Sequence, residues 1–180
     1  MSRTLLFCTA EEAKPCIPGI LKAAESHFWL LESQECPSDD SGLKHSLAPG
    51  EPFDASAFIG ASVEDCQKWF HAHHGAVNFI LGDGIAIADA RTAQDGTISM
   101  QYYYWGEPWD CHGYGLLPPN GEAWYDFRIR PEDTGSVIAD LAYTPGNVNF
   151  PFYFGRREEF TDENGVFDVA KVDREFKGVP

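Results

Sequence analysis

Between residues 76 and 104 short apolar runs alternate with tight turn signals, and that spacing leaves few folds open to the chain. Residues 76–81 and 85–90 flank Gly82-Asp83-Gly84, and residues 97–104 follow a second signal at Gln94-Asp95-Gly96. Turns of two or three residues rich in Gly and Asp join antiparallel strands, so the segment predicts a three-stranded meander with a hairpin at Gly82-Asp83-Gly84. Ahead of it, residues 62–74 read as a helix. Ser62 and Asp65 have capping-box spacing, Glu64 and Asp65 lie at the positive end of the dipole, and Gly75 stops the helix.

The flanks fit the same architecture. Residues 3–8 form an apolar run suited to a buried strand, and Pro15 and Pro18 push the first helix to residues 18–26. Residues 27–31 then read as a second strand, which gives a β-α-β opening. Residues 33–56 are rich in Ser, Pro, Asp and Gly without apolar periodicity and predict a long loop. Further on, residues 124–130 and 137–143 read as strands, 143–154 as an apolar connection closing the core, 156–161 as a short helix and 168–180 as a polar tail. The 180 residues together predict one α+β domain, a mostly antiparallel sheet with two or three packed helices.

Several short segments resemble one known family. Thr4-Leu5-Leu6-Phe7-Cys8-Thr9-Ala10-Glu11-Glu12 resembles the start of a small domain of unknown function found in bacteria and fungi. Phe79-Ile80-Leu81-Gly82-Asp83, Phe127-Arg128-Ile129-Arg130-Pro131 and Glu163-Asn164-Gly165-Val166-Phe167 resemble it in the same order. The resemblance implies a single α+β domain and implies no activity, cofactor or site residue.

Charge narrows the partners. Thirteen Lys and Arg against 28 Asp and Glu leave a net charge of −15, which opposes binding to nucleic-acid backbones and to anionic membranes. The apolar run at the N-terminus ends at Thr9 and two glutamates, and no stretch has the length of a membrane span. Cys8, Cys16, Cys36, Cys66 and Cys111 are odd in number and contain no Cys-x-x-Cys pair, the pattern of a reduced cytoplasmic protein.

Three constellations invite a chemical reading. His71-Ala72-His73-His74 suggests a metal site, yet at 100° per residue Val63, Cys66, Trp69, Phe70 and His73 share one sector while His71 points away. A histidine-capped helix end with one core imidazole is the expectation, with no metal. Gly82-Asp83-Gly84 lacks the third glycine and following helix of a dinucleotide fingerprint, and no P-loop or nucleophile-elbow motif occurs, so no cofactor is expected.

Residues 92–127 are the informative stretch. They hold no Lys or Arg, five acidic residues and nine aromatics. Alternation places Ile98, Met100, Tyr102 and Tyr104 on the core face and Gln101, Tyr103 and Trp105 on the other. Aromatic faces with carboxylates and no competing cation suit an amine or a flat apolar ligand. Tyr103, Trp105, Glu107, Trp109, Tyr114 and Trp124 are the expected ligand-binding residues, and Asp110 and His112 the expected acid–base pair. The function these residues favour is a small-molecule enzyme or binding protein, with cofactor-independent isomerisation, cyclisation or elimination as the reaction class. The alternative is an acidic interaction protein of the immunity type that covers a basic protein partner.

Overall fold

In the computed structural model, residues 3–25, 27–105, 122–143 and 146–177 are described. Strand β1 (Arg3–Cys8) is buried almost throughout, as its apolar run predicts. It leads through a 3-10 turn (Glu11–Cys16) that accommodates Pro15 into helix α1 (Ile17–Ala23), which carries Pro18 in its first turn. Strand β2 (Phe28–Leu30) then pairs parallel with β1, which completes the β-α-β opening.

The long connection at 33–56 holds no named helix or strand, as expected. Its backbone covers the outer edge of β2, where the Leu30 N–H donates to the Lys44 carbonyl at 2.8 Å. Leu43 reaches one core of the protein, and Leu47 and Phe53 the other. Helix α2 (Val63–His73) follows with the predicted cap in both directions: Ser62 accepts from the Asp65 N–H, and the Asp65 carboxylate accepts from the Ser62 N–H.

The meander exists but is displaced along the chain. Strand β3 (Ile80–Ala88) runs straight through Gly82-Asp83-Gly84, so the predicted hairpin there is absent. A one-turn helix α3 (Thr92–Asp95), ended by Gly96 at φ 74°, leads instead into β4 (Ile98–Trp105), and β5 (Glu122–Ile129) is the third strand. The physical reason is tertiary. β3 pairs parallel with β1, and the register slips between Arg3↔Ile80 and Leu5↔Ile85, so the Gly-Asp-Gly segment is extra length on β3. Glycine and aspartate serve such a bulge as readily as a turn.

The sheet has the order β2-β1-β3-β4-β5, with parallel pairs on one side and antiparallel pairs on the other. It is thus mixed, not mostly antiparallel. Helices are also more numerous than predicted. Residues 137–143, read as a strand, belong to helix α4 (Thr134–Tyr143), because Thr134, Val137, Ile138 and Leu141 recur at helical spacing and face the core. Helix α5 (Gly146–Phe150) and a π turn (Pro151–Gly155) bring Phe150, Phe152, Tyr153 and Phe154 into the interior, which makes 143–154 the core closure it was read as. Short helix α6 (Arg157–Phe160) matches its prediction. The supposed polar tail contains helix α7 (Val169–Lys177), whose Val169 and Val172 are buried.

Two apolar layers result. One lies between the sheet and α1, α4, α5 and α7, and it includes Ile98, Met100, Tyr102 and Tyr104. The other lies between the opposite face of β1–β3 and α2, with Phe7, Phe58 and Phe70 at its centre. On that second face only one side of α2 reaches β4 and β5, through Gln67, Phe70 and His71. What those two strands present there is polar and aromatic. Among the described residues no helix is long and apolar enough to cross a membrane.

Candidate functional site

Helix α2 presents two adjacent stripes. Cys66 and Phe70 are buried in the second core, whereas Val63, assigned to the same sector, is 38% exposed at the helix start. Loss of hydration pushes the Cys66 thiol up to about 12. Next to that stripe run Gln67, His71 and His74, spaced four and three apart and therefore on one side of the helix. This stripe leans over β4 and β5. The Gln67 side-chain amide donates to the Gln101 side-chain oxygen at 3.0 Å. The His71 ring stands edge-on to Tyr103 at 4.3 Å and to Trp124 at 5.2 Å. His71 lies off the buried stripe, as the helical wheel placed it, and its ring covers the aromatic face.

The floor comes from strand pairing. Tyr103 and Trp124 are direct cross-strand partners, with ring centroids 5.3 Å apart. The predicted alternation holds for Gln101, Tyr103 and the four core residues opposite them. Phe70 meets the Trp124 ring from below at 5.7 Å and so ties the site to the second core.

The bulge of β3 supplies the acid. Asp83 reaches solvent as a residue, but crowding of its carboxyl by protein raises its pKa above 3.8 against the opposing pull of nearby His74. His74 itself is oriented by α2. Its Nδ1 lies 3.1 Å from the Phe70 carbonyl, and its ring stacks on Phe70 at 4.6 Å. A carbonyl only accepts, so the neutral ring carries its proton on Nδ1 and keeps Nε2 as acceptor. His73 repeats the geometry on the other side, with Nδ1 2.7 Å from the Trp69 carbonyl and its ring 4.3 Å from the indole. It is the core-side imidazole the sequence predicted.

Comparison with family models, with curated proteins and with solved structures yields no match. What the site does must follow from its own geometry.

Of the predicted ligand-binding residues, the structure brings Tyr103 and Trp124 together. Glu107, Trp109, Asp110, His112 and Tyr114 lie outside the described residues, as does the side chain of Trp105. The backbones of Trp105 and Glu122 are paired, so the chain departs from β4 and returns to β5 beside the Tyr103–Trp124 pair. His71, His74 and Asp83 are functional candidates that the sequence reading passed over. Their signals were visible as His-x-His-His and Gly-Asp-Gly, each explained locally as a helix end and a turn. Among the described residues, no three His, Cys, Asp or Glu side chains gather so as to hold a metal ion.

Proposed function

We propose that the face bounded by His71, His74, Asp83, Tyr103 and Trp124 binds a flat, largely apolar or amine-bearing small molecule and moves a proton on it. The observation that carries this reading is the His71–Tyr103–Trp124 cluster set beside the oriented imidazole of His74. Tyr103 and Trp124 offer flat faces that favour a cation or an aromatic ring. Nε2 of His74 serves as proton acceptor, and Asp83 steadies the imidazolium that forms. The sequence holds no cofactor fingerprint, so isomerisation, cyclisation or elimination by the chain's own groups is the reaction class. Cys8, Cys16, Cys36 and Cys66 are free thiols, which supports a cytoplasmic setting.

The test is a titration with benzylamine, benzyltrimethylammonium and, as anionic control, benzoate, followed by NMR at the Trp124 indole N–H and the His71 ring. The two cations shift both signals and benzoate does not, and His71→Ala or Trp124→Leu removes the response. Shifts confined to other parts of the protein, or equal responses to benzoate, overturn the reading.

A further inference from the structure

Backbone groups of a strand point alternately toward its two sides. On β5, the Asp126 carbonyl accepts from Arg157 at 2.9 Å and the Arg128 carbonyl accepts from the Phe167 N–H at 2.7 Å. Both partners lie on the side away from β4. The two-residue period therefore turns the N–H and C=O of Trp124 and Glu122 outward as well, together with the Asp126 N–H. Among the described residues nothing bonds to the outward groups of Trp124. On the sheet's other edge, Lys44 bonds to Leu30 of β2.

The open half of β5 is recessed. It forms one wall of a cleft of about 510 Å³ whose opposite wall is Phe154, Gly155, Arg156 and Glu158. A single extended strand fits such a slot. A second copy is disfavoured there, because two chains of −15 repel.

Charge selects the occupant. Arg156 is held by Glu159 and Glu175, and Arg157 by Asp126. Among the described residues no cation pairs with the exposed Glu158. Beside it, the rings of Tyr125 and Phe154 at 5.0 Å give an apolar wall.

From this arrangement we propose that residues 122–126 form a docking edge for an extended, basic segment of a partner protein, added to the sheet as a sixth strand. Main-chain bonds to Trp124 and Asp126 supply the pairing, Glu158 takes a lysine or arginine, and Phe154 takes an alternate apolar side chain. The inference stands apart from the small-molecule reading. Trp124 gives its indole to one and its backbone to the other.

The probe is a synthetic peptide of alternating Lys and Val, compared with its fully N-methylated form and with a Glu-for-Lys counterpart, by NMR and amide exchange at low salt. The Lys peptide shifts the Trp124 and Asp126 amides and slows their exchange, while both counterparts fail. Glu158→Lys, a change at an exposed side chain, weakens binding about fivefold, the order expected for losing and reversing one surface ion pair. Binding that survives N-methylation, shifts that avoid Trp124 and Asp126, or a Kd above about 1 mM overturns the proposal. Protection of these amides that rises with protein concentration and no peptide points to a second copy and also overturns it.

Discussion

At Asp83, lost hydration raises the folded-state pKa above the ordinary 3.8, so the native state binds that proton more tightly than the unfolded chain does. The resulting stability is fully present below the unfolded pKa and is lost as pH rises through the folded value. At neutral pH the ionised side chain therefore opposes folding. Asp83→Asn should raise the urea midpoint at pH 7, and the advantage should vanish near pH 3, where both forms are neutral. The same variant should lose any proton-transfer activity, a trade expected where a site is kept at the expense of stability. Its neighbour Gly84 has a different constraint, since a Cβ there would collide with the Gln101 carbonyl oxygen across the β3–β4 pair. Gly84→Ala should cost about 1–3 kcal/mol, read from chemical denaturation. Cys66, buried and with its thiol held near 12, should resist iodoacetamide at pH 8 while half-buried Cys16 reacts; mass spectrometry of the native protein checks this. Tyr103 and Trp124 were legible in the sequence because strand alternation is a local rule. His71 and Asp83 were not, because each has a sufficient local explanation and only tertiary pairing brings them to the same face.

Helix α2 was the most readable element, since its N-terminal cap and its acidic first turn lie within the helix and its neighbours; Gly75, expected to stop it, sits instead inside a 3-10 turn (His74–Ala76) that continues from it. Ser62→Ala should destabilise by about 1 kcal/mol and lower the thermal midpoint without moving the site's ring geometry. Elements whose state depends on distant partners were read less well. Residues 80–88 carry turn-forming glycines, yet they form a single strand because β1 holds them from Ile85 to Ala88. Residues 137–143 have β-branched residues that suit a strand, but the sheet is already complete and the apolar stripe fits a helix laid across it. Helix α7 hides in a charged segment because its buried Val169 and Val172 are set among charged residues. The Arg156 ion pairs with Glu159 and Glu175 then link that helix to α6.

Across the whole molecule, the two edges of the sheet are met by different segments. On one, Lys44 of the 33–56 connection bonds Leu30, and on the other Phe167 and Arg157 bond Arg128 and Asp126. The net charge of −15 was readable at once as an expectation against nucleic-acid and anionic-membrane partners, and among the described residues no helix is long and apolar enough to cross a membrane. Which carboxylates have no ion-pair partner among the described residues, as at Glu158, is legible only from the arrangement of α6 against β5. Association with any basic partner should fall steeply with ionic strength, because a Debye length near 10 Å at 0.1 M leaves little of the long-range attraction. Surface plasmon resonance across a salt series measures this, and a flat series would speak against electrostatic capture.

The central position of β1 also sets an order in time. This strand, first in the sequence, sits between β2 and β3 and stays incomplete until residues 80–88 arrive. Closing so long a loop to gain the β1–β3 pairing predicts refolding in milliseconds to seconds instead of microseconds, which stopped-flow fluorescence resolves. During synthesis at about 5–20 residues per second, Leu5, Leu6 and Phe7 wait on the order of 4–16 s for their second partner strand. For that interval the nascent chain offers an apolar strand with one edge unpaired, and the ribosome-bound protein should be a better chaperone client than the finished one.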